Sequence, residues 1–240
     1  YMKIAIVGLG GSYSDYIAAR IRSEKFDETW GINCVGGIIH VDKTIMMDPV
    51  SRFLDSENAG LQTGIAREFL EKNTKPILTC EMDDRVKHLE PYPLEEVIKE
   101  LNICYFNNTV PYAIAYAIYY GAKQLCLYGL DYTYRNVGMA EAGRACTEFW
   151  CAIATTRGIK IEVAHNSGLL DTNVPDNEKL YGYHRLDDPL VQTHEKGGLL
   201  ITKQSKMEPP EPADSPDVPV LFGRHDHVNA NKLNGSVSNV

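Results

Sequence analysis

The chain has 240 residues, 44% of them hydrophobic and 23% charged, which is enough to bury one α/β core without help from disulfides or metals. Its formal net charge of −8 gives no support to sequence-independent nucleic-acid binding, which relies on Lys and Arg set against phosphate. No apolar run reaches the ~18 residues of a membrane span, and no basic segment leading into an apolar one opens the sequence, so a soluble, cytoplasmic protein is expected.

From residue 2 to about 166, short apolar runs alternate with amphipathic stretches. This is the pattern of a Rossmann-like α/β fold: a mainly parallel sheet of about seven strands flanked by helices. The first strand, residues 2–8, runs into Gly8-Leu9-Gly10-Gly11-Ser12, and a helix is expected over 13–24. A glycine turn at the carboxyl edge of a strand and just before a helix is where such sheets bind phosphate. The backbone approaches closely, N–H groups point outward, and the helix dipole favours an anion. The alternative is a turn that needs glycine only for its dihedral angles.

The second strand, 29–35, brings Asn33 to the same rim, and the third, 43–48, brings Asp48, followed by Pro49. An amide there reads a ribose or base, and a carboxylate holds Mg²⁺ or hydroxyls. A dehydrogenase would carry an acid where Gly31 to Val35 stand, and no glycine loop ends in Lys followed by Ser or Thr, so NAD-dependent redox chemistry and a P-loop nucleotidase rank lower. A helix over 62–73 and a strand over 76–81 lead to Glu81-Met82-Asp83-Asp84-Arg85, either a solvated charged loop or a metal or acceptor site.

Next come a helix over 94–101, a strand over 103–107 and a helix over 110–121. In the last, Asn108 or Thr109 caps, Pro111 sits in the first turn and Gly121 terminates. Tyr112, Ala115, Tyr116 and Tyr119 recur at helical spacing as a packing face. The strand over 124–130 delivers Asp131 to the glycine-turn edge, with Tyr132 and Tyr134 beside it to stack on a base or sugar. A helix over 140–157 and a strand over 160–165 follow, the strand ending at His165.

Cys34, Cys80, Cys104, Cys126, Cys146 and Cys151 lie far apart with no CxxC pair, so buried thiols are expected and a zinc site is not. Periodicity fades from residue 166. Residues 1–171 then form the nucleotide-binding domain, 172–205 a fold-back cap and 206–240 a flexible Pro-rich tail carrying Pro209–Pro216 and His225-Asp226-His227. The sequons at Asn107 and Asn234 are read as accidental.

One stretch resembles a known group. Asn108-Thr109-Val110-Pro111-Tyr112 through Gly121-Ala122-Lys123-Gln124 closes on Gly129-Leu130-Asp131-Tyr132, and is followed by Gly158 to Val163 and Asn166-Ser167-Gly168-Leu169-Leu170. With the amino-terminal Gly-x-Gly-x-Ser turn, this is similar to the Rossmann-like superfamily of bacterial sialyltransferases, motility accessory factor glycosyltransferases and hydroxymethylpterin diphosphokinase-like proteins, over about residues 2–171. The resemblance implies that Gly8, Gly10, Gly11, Ser12, Asn33, Thr109, Gly129 and Asp131 surround a nucleotide. Asn108 and Tyr132 complete the candidate nucleotide set, and Asp48-Pro49 looks like the motility-factor and diphosphokinase branches, with Asp48 the candidate for Mg²⁺.

Sialyltransferases of this group carry a histidine base in an insertion after the Gly-Ile-Asp segment, whereas here no histidine lies between His88 and His165. A glycosyl transfer needs a base and a seat for the departing phosphate. Asp131, Asp48 and His165 are the candidate bases, and the turn at Gly8–Ser12 is the seat. The reading is a transferase with a nucleotide-activated donor, foremost a nucleotide-sugar glycosyltransferase. A Mg²⁺-dependent diphosphokinase-like phosphotransferase and a non-catalytic nucleotide-binding module stay open, as do the acceptor and a homo-oligomer.

Overall fold

A computed structural model describes residues 1–60, 62–175, 178–195 and 198–207, with no side-chain account of 194 and 195. Pro209–Pro216, His225-Asp226-His227 and the Asn234 sequon lie outside the described residues.

Seven strands form one sheet: β1 (Lys3–Val7), β2 (Glu28–Ile32), β3 (Lys43–Met46), β4 (Ile77–Thr79), β5 (Leu89–Pro91), β6 (Gln124–Tyr128) and β7 (Lys160–Val163). Their order is β5-β4-β3-β2-β1-β6-β7 and every pairing is parallel. This is the doubly wound Rossmann-like α/β architecture. Helices α1 (Tyr13–Ile21), α2 (Val50–Asp55) and α3 (Thr63–Lys72) cover one face, and α4 (Leu94–Leu101), α5 (Thr109–Tyr119) and α6 (Val137–Thr156) the other.

Strand alternation explains why the central runs are apolar throughout, because each side chain in turn faces a helical layer. Ile4, Ile6, Trp30, Ile32, Leu125 and Leu127 pack under α4–α6, while Ala5, Val7, Cys126 and Tyr128 pack under α1. Cys34, Met46 and Ile77 meet α2 and α3. Helix α5 starts where its cap is expected: the Asn108 side chain accepts from the Val110 amide at 3.1 Å, and Gly121 beyond its end has φ +90.

Residues 103–107 are not a strand. They cross the α6 side as a loop, with the Tyr105 carbonyl accepting from Trp150 Nε1 at 2.7 Å and from the Cys146 thiol at 3.5 Å. The edge strand is instead Leu89–Pro91, paired Ile77↔Leu89, where a proline costs nothing because no further strand needs its amide. Helix α2, six residues after Pro49, was not anticipated by the periodicity.

Strands β2 and β3 end early, at Ile32 and Met46, which leaves Asn33 and Asp48 in the loops just beyond. Cys80 and Cys104 are exposed rather than buried, since β4 stops at Thr79 and Cys104 belongs to the loop. Beyond residue 171, β8 (Leu190–Glu195) and β9 (Gly198–Lys203) form an antiparallel hairpin. Among the described residues, no helix is long and apolar enough to cross a membrane.

Candidate functional site

Strand β1 lies between β2 and β6, so the crossovers leave in opposite directions and open a crevice at the carboxyl edge between β1 and β6. The two loops that meet there are pressed together. Gly8 N donates to Tyr128 O and Gly10 N to Gly129 O, both at 2.8 Å. A Cβ on Gly8 would stand 2.5 Å from Gly129 O, and one on Gly10 would stand 2.6 Å from Asp131 Oδ2. Gly129, at φ +65, lies against Gly8 O. These three glycines are therefore required by contact between loops. Gly11 differs, because a Cβ there has nothing nearer than Asp131 Oδ2 at 3.9 Å.

A pair of substitutions separates the two roles. Gly10→Ala is expected to cost about 1–3 kcal/mol of folding stability through forced contacts. Gly11→Ala should stay within about 0.5 kcal/mol of the parent. Urea unfolding of both variants reads the difference, and equal midpoints would refute the close-packed description of the turn.

Asp131 is the strut between the loops. It is buried; Oδ2 accepts from the Ser12 amide at 2.7 Å, Oδ1 accepts a short hydrogen bond from the Ser12 hydroxyl, and Ser12 Oγ accepts from Gly129 N at 2.9 Å. The carboxylate thus sits at the amino end of α1, where the helix dipole stabilises a negative charge. It also takes up the Ser12 amide. The Leu9 and Gly11 amides have no protein acceptor among the described residues.

Two joined lobes form a cleft over this edge. The inner lobe, about 260 Å³, is lined by Gly8, Gly10, Asn33, Gly129, Asp131 and Tyr132, together with Leu9, Gln62 and Tyr134. The outer lobe, about 680 Å³, adds Asp48, Cys80, Phe106, Asn107, Asn108 and Thr109 and shares Asn33, Tyr132 and Tyr134 with the first. Asn33 adopts φ +54, and its side-chain oxygen accepts from Thr109 Oγ1 at 3.4 Å. The Tyr132 hydroxyl donates to Asn108 Oδ1 at 3.1 Å and shares a short hydrogen bond with Thr147, and burial raises its pKa. Phe106 is stacked between Tyr112 and Trp150, at 4.3 and 5.1 Å between centroids, so both its faces are used. Tyr134 is 59% exposed.

The structure gathers Gly8, Gly10, Asn33, Asp48, Asn108, Thr109, Gly129, Asp131 and Tyr132 around one cleft. Ser12, which is buried, and Gly11, which is exposed, do not line it. His165 is elsewhere: it is exposed and lines a separate cavity on the α1 side, because the loop after β7 is tied to α1 by Asn166 N and Nδ2 donating to Asp15 at 3.3 and 3.2 Å.

Residues missed from the sequence include Gly143 and Thr147, both against the Tyr132 ring, which lies 2.8 Å from where a Gly143 Cβ would stand. A glycine inside a helix was the available signal. The acidic segment after β4 is structural. Glu81 accepts from Ser51 N and Oγ at 2.9 and 3.0 Å, at the start of α2, and Arg85 holds the Asp83 carboxyl down to about 2.

Asp48 pairs with Arg52 at 3.0 Å and, among the described residues, is the outer lobe's single carboxylate. That fits Mg²⁺ only as an ion held mostly by water and substrate phosphate.

No family model matches the chain, and no curated protein matches it. Several solved sialyltransferase structures align with it, three of which follow. The sialyltransferase CstII from Campylobacter jejuni in complex with CMP-3FNeuAc aligns at 18% identity over 71% of this chain and 83% of that one, with a TM-score of 0.46. CstII with cytidine-5'-monophosphate gives 16%, 70%, 82% and 0.42. CST-II with a trisaccharide acceptor and CMP gives 16%, 70%, 83% and 0.44.

Proposed function

We propose that the protein is a transferase using a nucleotide-activated sugar, bound along the carboxyl edge of the sheet. The observation that carries this reading is the charge of the cleft. Its two lobes hold the carboxylates of Asp48 and Asp131 and, among the described residues, no Lys, Arg or His, while amides, hydroxyls and aromatic rings make up the polar wall. A triphosphate in such a wall would be repelled without a cation. A donor whose nucleotide is joined through a single phosphodiester carries one charge and meets two free amides at the turn.

In this reading the Leu9 and Gly11 amides hold the donor phosphate, and Asn33 and Asn108 face the nucleoside. The open Tyr134 ring stacks on base or sugar. Asp131 keeps the turn in place, since both its oxygens are engaged by Ser12. Asp48 is then the base for the acceptor hydroxyl, with Arg52 orienting it. The proton passes to Asp48, the acceptor oxygen attacks the sugar carbon, and the nucleotide leaves with the bonding electrons onto the turn amides.

The test is thermal-shift screening with CMP, UDP, GDP and ATP and their sugar conjugates, with and without Mg²⁺, followed by a donor-hydrolysis assay. A nucleoside-monophosphate sugar is expected to stabilise without metal and to be hydrolysed slowly. Stabilisation by ATP only with Mg²⁺ would replace this reading with the phosphotransferase. Tight binding without turnover on any acceptor would mark a binding module, the reading favoured by the full engagement of Asp131.

A further inference from the structure

On the α1 side of the sheet, away from the cleft, β6 and β7 pair with Cys126 beside Glu162 on one face. The segment after α1 brings Glu24 to them, and one ligand-capable atom from each of the three lies within 4.8 Å of the others. The thiol is fully buried and donates to Glu162 Oε2 at 3.3 Å; burial, with the carboxylate beside it, pushes it up to about 12. The carboxylates are held from outside. Lys3 Nζ contacts Glu24 Oε1 at 2.6 Å, and Lys160 Nζ contacts Glu162 Oε1 at 2.5 Å, so each lysine fixes one oxygen and leaves the other unclaimed by an ammonium.

A cavity of about 470 Å³ adjoins this cluster, lined by Glu24, Glu162, Tyr128, Arg22 and His165. Tyr128 is only 9% exposed, and its hydroxyl has no hydrogen-bond partner among the described residues. The hydroxyl is not sealed off, so the group that satisfies it has to come through the cavity. An orphan hydroxyl opening on the same cavity as two oriented carboxylates is a second, separate sign of a missing group.

We propose that Glu24, Cys126 and Glu162 bind one divalent cation of the zinc class, with a fourth position open to the cavity beside Tyr128. Zinc accepts thiolate sulfur and carboxylate oxygen together, whereas Mg²⁺ and Ca²⁺ prefer oxygen alone. Binding replaces the proton on Cys126 Sγ: the S–H bond is broken, the proton leaves to solvent, and the sulfur electron pair forms the bond to the metal. Lys3 and Lys160 are outer-shell residues that aim the carboxylates. A water in the open position would give the Tyr128 hydroxyl its partner. The wide cysteine spacing hid this site, because its ligands come from the segment after α1 and two neighbouring strands.

Titrating the full chain with Co²⁺ and then Zn²⁺ tests it. The expected result is one Co²⁺ per chain with a thiolate-to-cobalt charge-transfer band, displaced by Zn²⁺. Histidines and carboxylates elsewhere bind cobalt without that band. Cys126→Ala should abolish the band, Glu162→Gln should weaken binding about tenfold or more, and Cys104→Ala, at an exposed cysteine outside the cluster, should change neither. Circular dichroism checks that each variant is folded, and Glu24→Gln, at a side chain one-third exposed, carries the same expectation as Glu162→Gln should Cys126→Ala not fold. Absence of the band in the parent chain, or its survival in folded Cys126→Ala, overturns the proposal, as does unchanged affinity in both glutamate variants.

Discussion

Asp48→Asn is expected to lower turnover of the sugar donor with acceptor by about a hundred- to ten-thousand-fold, the range associated with loss of a positioned general base. Nucleotide affinity should change by less than about threefold, because the side chain lines the outer lobe and not the glycine turn. The fold should be indifferent as well: the carboxylate is partly exposed and its ion pair with Arg52 is of the surface kind, worth about 0–1 kcal/mol. Steady-state kinetics with saturating donor read the loss in kcat. Turnover within about threefold of the parent would remove Asp48 from the mechanism, since among the described residues no other carboxylate or histidine is placed to replace it.

Asp131 should behave in the opposite way, as a residue whose loss is felt first in stability. Asp131→Ala strands the Ser12 amide and hydroxyl in a buried position and removes two hydrogen bonds to a charged acceptor, for a cost of about 3 kcal/mol or more. Asp131→Asn keeps an oxygen for the Ser12 amide and turns its NH₂ toward Ser12 Oγ, so it should cost about 1 kcal/mol. Nucleotide binding should fall in the alanine variant and largely survive in the asparagine variant, because what the turn needs is its shape. Chemical denaturation beside calorimetric titration separates these effects. An asparagine variant as stable as the parent yet inactive would return Asp131 to the chemistry and take it out of the scaffold.

The central strands were legible because a strand buried on both faces can only be apolar throughout, as in Ile4 to Val7 and Leu125 to Leu127. Helix α5 was legible because its cap, first turn and terminator are local. Leu89–Pro91 was not, since three residues containing a proline carry no periodicity, and Ile103 to Phe106 misled because apolar loop residues packed on a helix look like a strand. The rim composition could be read from strand ends. What could not be read was the bond from Ser12 to Asp131, which joins positions 119 apart, or the side of the sheet to which the loop after β7 would turn His165. Both depend on which strands become neighbours, and sequence patterns mark strands without marking partners.

Strand β1 pairs with β6 from Lys3↔Gln124 to Val7↔Tyr128, although β2, β3, β4 and β5 all lie between them in the chain. Until the ribosome has released residue 128, a strand whose Ile4 to Val7 are fully buried in the finished sheet has an open edge on that side. Nascent chains paused or truncated before this point present Ile4 to Val7 as a template for another chain, which makes early termination an aggregation hazard and the emergence of β6 the event that closes this edge.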